Sequence, residues 1–140
     1  MFATDHTNAQ RTLLYNIHTN DWDNDLLELF NIPRSILPEI KSCSEDYGVT
    51  FPHLFSRDNA SEIRITSSIG DQQSALFGQL CLEKGQSKIT YGTGCFILTN
   101  TGSQIVKSNH GLLTTIAYSF KDKILYALEG SVMIAGAAVQ

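Results

Sequence analysis

Three runs rich in apolar and β-branched residues, at 89–98, 112–120 and 124–128, follow one another in the second half of the chain. Gly92-Thr93-Gly94 breaks the first run, and Asn100-Thr101-Gly102 and Lys121-Asp122-Lys123 read as the turns around the others. Runs of this length, punctuated in this way, pair as strands of a sheet. A sheet must cover its apolar face, and a helical pattern stands directly before it. From Asp71 to about Lys84, the residues Leu76, Leu80 and Lys84 fall in one row, with Phe77 and Cys81 beside it. Gly85 is suited to stop that helix. Upstream, Ile63, Ile65 and Ile69 predict a further strand.

The first half is less regular. Residues 4–18 carry Leu13, Leu14, Tyr15 and Ile17 after a polar start and suit either a short helix or a strand. Asp21 or Asp23 can cap a helix through Leu26, Leu27, Leu29 and Phe30, because a short acidic side chain accepts the orphan amide protons of the first turn. Pro33 should end that helix. Residues 41–60 are polar and rich in turn formers, the composition of a connector. Residues 131–140 begin like an apolar helix with no stop signal, and residues 1–40 are too few for a core of their own. Both ends are therefore expected to continue in a longer protein.

Composition narrows the function classes. The chain has 140 residues, 42% hydrophobic and 17% charged, and a net charge of −4. That is a globular composition, and the scattered basic residues form no patch of the kind that neutralises nucleic-acid phosphates. No apolar stretch is long enough for a membrane span. Cys43, Cys81 and Cys95 lack C-x-x-C spacing and suit free thiols in a reducing cytosol, with catalysis or metal binding as the alternative. His6, His18, His53 and His110 lie far apart, so a metal site built from this chain alone is not expected.

Three features could carry chemistry. Gly70-Asp71-Gln72-Gln73 stands where strand gives way to helix. A carboxylate there faces unpaired amides and the positive end of the helix dipole, which favours the anion by about 0.3–1 kcal/mol. Such an aspartate can accept a proton from an alcohol, or it can be an ordinary cap. Tyr91-Gly92-Thr93-Gly94-Cys95-Phe96 is either a tight hairpin or bulge, or a place where backbone amides and a hydroxyl approach phosphate oxygens. No lysine of the P-loop type follows it. Gly136, within the apolar C-terminal stretch, serves close packing or close approach of a ligand.

Taken in order, these segments resemble the glycerol kinases, members of the FGGY carbohydrate kinases. The stretch from Gly70 to Gln79 is similar to the family's G-D-Q-Q-A-A-L-F-G-Q, and Thr90-Tyr91-Gly92-Thr93-Gly94-Cys95-Phe96 matches in register. So do Gly111-Leu112-Leu113-Thr114-Thr115 and Tyr126-Ala127-Leu128-Glu129-Gly130. Upstream, Thr4-Asp5, Thr7-Asn8-Ala9 and Arg11-Thr12 fit the family's T-D-x-T-N-A-x-R-T. One departure is Ile65 to Ile69, which lacks the proline and the first glycine usual before G-D-Q.

The resemblance implies an α/β fold of the actin-like, ribonuclease H-type ATPase class, present only in part. Residues 1–40 would be the tail of a first domain, 41–60 a connector, and 61–140 the opening part of a second domain. It implies ATP-dependent phosphorylation of glycerol, with Asp71 as the base, Gln72 in contact with glycerol and Phe96 packed on its carbon chain. Thr93, Gly136 and Gln140 match positions at the bound nucleotide. ATP and Mg²⁺ are the expected cofactors, and the aspartate that holds the metal would lie outside this chain. A cytoplasmic homo-oligomer is implied, and half a cleft alone is expected to be inactive. A kinase for another polyol or sugar, or a non-catalytic interaction module, are the alternatives.

Overall fold

The computed structural model describes residues 1–52, 54 and 62–138. Short elements come first: β1 (Ala3–Asp5), α1 (His6–Ala9), β2 (Tyr15–Asn16), β3 (Asp21–Trp22), α2 (Asn24–Leu29) and β4 (Glu39–Lys41). The choice left open over residues 4–18 resolves as both, a strand running into a short helix and then a second strand. Strands β1 and β4 pair in parallel, and β2 and β3 form an antiparallel ribbon. Asp23 caps α2, accepting from the amides of Asp25 at 3.0 Å and Leu26 at 3.1 Å.

The second half holds α3 (Asp71–Gly78) and a sheet of β5 (Ser87–Tyr91), β6 (Cys95–Gly102), β7 (Leu113–Phe120) and β8 (Lys123–Val132). Every pairing in that sheet is antiparallel, in the order β5-β6-β8-β7. The strands expected from the three apolar runs are all present. Gly92-Thr93-Gly94 is the tip of the β5–β6 hairpin, and Lys121-Asp122 turns β7 into β8.

Strand β7 organises the core, because α1 and α3 both pack against it. Its pairing with β8 skips Ala117, a bulge between Ile116 and Tyr118. In an unbroken strand Ile116 and Tyr118 would share a face. Here Ile116 joins Ala9, Tyr15, Trp22, Leu27 and Tyr126, whereas Ala117 and Tyr118 join Cys43, Leu76, Cys81, Leu98 and Ala127. One extra residue thus lets a single strand serve two clusters. The apolar side chains of the first forty residues pack on one another and, through Ile116 and Tyr126, on this sheet.

Three expectations are corrected. Helix α3 stops at Gly78, seven residues before Gly85. Leu80 takes the left-handed conformation with φ 58°. The amides of Leu80 and Cys81 then donate back to the carbonyls of Phe77 at 2.9 Å and Leu76 at 3.1 Å. This is the Schellman stop with leucine where glycine is usual, held by the contact of Cys81 with Leu76 in the core. Residues 63–69 form no named strand, only bridges of Arg64 to Val49 and Ser67 to Ser44. Their apolar side chains Ile63 and Ile65 are exposed, so no burial holds a longer ladder. Residues 131–132 continue β8 and pair with Phe96 and Cys95, and the helix expected from 131 shrinks to a 3₁₀ turn at Gly136–Ala138. Unpaired backbone on β6 outweighs helix preference there.

Candidate active-site cleft

Asp71 is the first residue of α3, and Gly70, not Asp71, occupies the capping position. The simple-cap reading therefore fails. The Asp71 carboxylate accepts the neighbouring Gln72 amide at 2.7 Å and is otherwise exposed toward a cleft. A side chain at Gly70 would force a neighbour to shift. A Cβ there would lie 2.8 Å from Oε1 of Gln73, a side chain that is itself buried.

The backbone just before Asp71 is fixed from across the molecule. Thr7 Oγ1 accepts the Gly70 amide at 2.8 Å and donates to Oδ2 of Asp5. Asp5 is fully buried and also accepts from the Thr7 amide at 2.7 Å, from Asn8 Nδ2 and from Ser68 Oγ at 3.2 Å. A buried carboxylate is tolerated when its oxygens are matched by donors, as here. The thiol of Cys43 adds a weak contact at 3.5 Å, and burial pushes that thiol up from its usual range.

The opposite wall comes from the sheet. Phe96 on β6 sits between Thr90 of β5 and Ser131 of β8. Glu129, on the central strand β8, is buried and accepts from both terminal guanidinium nitrogens of Arg11, one of them at 3.2 Å. Thr7, Asn8, Arg11, Asp71, Gln72, Phe96 and Glu129 border one open cleft of about 560 Å³. The three residues assigned to the acceptor substrate, Asp71, Gln72 and Phe96, are thus brought together.

Thr93 and Gly136 meet at a second place. The amides of Ala135 and Ala137 donate to the Thr93 carbonyl at 2.8 and 3.4 Å, and the Gly136 amide donates to Gly92 at 3.0 Å. A Cβ on Gly136 would stand 2.5 Å from the Gly92 carbonyl oxygen, so the glycine serves close packing on the hairpin tip. The Thr93 side chain is exposed, and its hydroxyl has no hydrogen-bond partner among the described residues. Gln140 lies outside the described residues. No group of three His, Cys, Asp or Glu side chains that could hold a metal ion occurs among the described residues, and none of their helices is long and apolar enough to cross a membrane. Cys43, Cys81 and Cys95 are all free.

Sequence reasoning missed Arg11 and Lys88. Arg11 lies 118 residues from Glu129, and nothing local marks the pair. Lys88 left a faint signal. Strand alternation groups it with Thr90, opposite Ile89 and Tyr91. In the structure the lysine faces inward at 1% exposure while Ile89 faces outward at 50%.

Comparison with known proteins gives the family. The chain is 82% identical over all its 140 residues to a glycerol kinase of Mycoplasma capricolum, of which it spans 28%. It superposes on the crystal structure of Plasmodium falciparum glycerol kinase with ADP at a TM-score of 0.89, with 48% identity, covering 98% of this chain and 27% of that one. A ligand-bound xylulose kinase from Lactobacillus acidophilus shares the fold at a TM-score of 0.78 and 24% identity, over 96% of this chain and 27% of that one. These neighbours agree with the expected fold class, part of an actin-like α/β kinase. The FGGY family of carbohydrate kinases, N-terminal domain, matches residues 1–78, which is more than half of the 140. On that match the chain belongs to the FGGY carbohydrate kinases.

Proposed function

We propose that this chain is the part of a glycerol kinase that carries the catalytic base, in an enzyme converting glycerol and ATP to sn-glycerol 3-phosphate and ADP. The observation that carries the reading is the meeting of Asp71, Gln72 and Phe96 in one cleft. An exposed carboxylate at a helix start supplies the acceptor, an amide supplies a second polar contact, and an aromatic face suits a short carbon chain. Asp71 takes the proton of a terminal glycerol hydroxyl while that oxygen forms its bond to the γ-phosphorus and the bond to the ADP oxygen breaks. Phosphoryl transfer asks a protein mainly for positioning and charge neutralisation, and general-base help adds about 10²–10⁴ in rate.

Nucleotide phosphates fit the hairpin tip, where the backbone of Thr93 meets the segment of Gly136 and the Thr93 side chain is exposed; Gln140 is assigned to the same nucleotide by resemblance alone. When bound, Mg²⁺ neutralises phosphate charge, and its protein ligand belongs to a part of the enzyme outside this chain. The division into a first-domain tail (1–40), a connector (41–60) and the opening of a second domain (61–140) goes with this proposal. The two outer parts share a core, since Ala9, Tyr15 and Trp22 pack with Ile116 and Tyr126. A cytoplasmic, homo-oligomeric enzyme completes the reading, and the free thiols suit a reducing compartment.

The test is a graft. Residues 1–140 replace the matching segment of the Mycoplasma capricolum relative, and the chimera is assayed for ADP release with glycerol, xylulose and gluconate in competition. Preference for glycerol is expected. A preference for xylulose or gluconate would move the reading to another sugar kinase, and a folded chimera inactive on all three would support a non-catalytic module.

A further inference from the structure

Lys88 is among the most deeply buried side chains of the molecule, at 1% exposure. An ammonium group in such a place needs partners, because burial disfavours its charge. Its Nζ donates to Oε1 of Gln72 and, at 2.7 Å, to Oγ1 of Thr90. Asp71 on α3 and Glu129 on β8 are the carboxylates whose charge favours the ammonium, against the burial that lowers its pKa. Lys88 thus holds a side chain that borders the cleft without bordering it itself.

Its chemistry restricts Gln72. A lysine ammonium only donates, so it can hold the carboxamide oxygen but not the carboxamide nitrogen. With Oε1 taken, the group left to face the cleft is the Nε2 amide, a donor. The adjacent Asp71 is an acceptor when ionised. We propose that Lys88 is a positioning residue for substrate selection: by holding the Gln72 oxygen it presents a donor beside the acceptor Asp71. The pair then reads a vicinal diol, one hydroxyl giving its proton to Asp71 and its neighbour accepting from Gln72. This rests on the glycerol kinase reading of the cleft.

The experiment is a double-mutant cycle in the grafted chimera with Lys88→Met, Gln72→Ala and both together, reading KM for glycerol. Each single variant should raise glycerol KM by about tenfold, the worth of one hydrogen bond of this kind, and the double variant should be no worse than either. On propane-1,3-diol, which lacks the neighbouring hydroxyl, the penalties should shrink to within about twofold. A purely structural lysine would cost as much on either diol. Additive penalties, or an equal loss on both diols, would overturn the inference. Gln72→Glu offers a test that does not depend on Lys88→Met folding. It keeps an acceptor for Lys88 but removes the donor, so glycerol KM should rise as it does for Gln72→Ala, and unchanged KM would overturn the inference. A folded wild-type chimera without glycerol turnover would remove the functional reading and this inference with it. An active chimera with additive penalties would remove the inference alone.

Discussion

The cleft at Asp71 and the β5–β6 hairpin tip, the two ends of the assigned machinery, are built differently. At the Asp71 end, side chains from distant parts of the chain converge: Asp5 and Thr7 hold Gly70, Arg11 binds Glu129, and Lys88 holds Gln72. At the hairpin end, Gly92, Thr93 and Gly136 are joined by backbone bonds alone, and the Thr93 side chain stays exposed. A base must be held at a fixed distance from one proton, which calls for side chains locked by their neighbours. Phosphate oxygens can be met by backbone and a hydroxyl, which calls for small residues and close approach. The difference predicts which kinetic constant each end controls.

The largest effect should come from Asp71 itself. Asp71→Asn in the chimera is expected to lower kcat by about 10²–10⁴ with only a modest change in ATP affinity. Near-normal turnover would mean that the proton goes elsewhere. Next is the support behind it. Asp5→Ala strips the acceptor from Thr7, Asn8 and Ser68, and about 3 kcal/mol of stability should go with it, read by denaturant unfolding. A loss below about 0.5 kcal/mol, the ordinary size for surface changes, would show that the base end is not locked from there.

At the hairpin end, Gly136→Ala places a methyl against the Gly92 carbonyl and should cost about 1–3 kcal/mol while raising KM for ATP. If KM for glycerol rose instead, the two ends would not be separate. The smallest effect concerns His6, whose Nδ1 lies 2.7 Å from the Tyr15 hydroxyl. Burial holds its pKa below the usual 6.5, against the pull of Asp5, Glu45 and Asp21. Below that value the unfolded chain binds more protons than the folded one, so stability should fall as pH drops from about 7 toward 5. Tm measured across that range should decline less steeply in His6→Gln, and an unchanged slope would remove His6 from the explanation.

Much of the sheet was legible because apolar runs and turn residues mark strands locally, and Asp23 was legible as a cap for the same reason. The stop of α3 was not. Leu80 adopts a conformation that its sequence disfavours, and a contact between Cys81 and Leu76 decides it. The extension of β8 was hidden as well, because residues 131–132 follow the demand of β6 for a partner rather than their own preference. At the site, Asp71, Gln72 and Phe96 could be picked out as a set only through resemblance to a family. Lys88 was missed because its strand is inverted, with the charge inward and Ile89 outward, so the alternation gave only a faint signal. Arg11 with Glu129, and Thr93 with Gly136, are pairings across the fold that no window of sequence contains.

The division of labour between the two ends is tested most directly by measuring KM for glycerol and for ATP side by side in Gln72→Ala and Thr93→Ala chimeras. Gln72→Ala should raise KM for glycerol by about tenfold and leave ATP within about twofold. Thr93→Ala should do the reverse. Constants that rise together in both variants, or that exchange places, would contradict the assignment of the base end to glycerol and the hairpin end to the nucleotide.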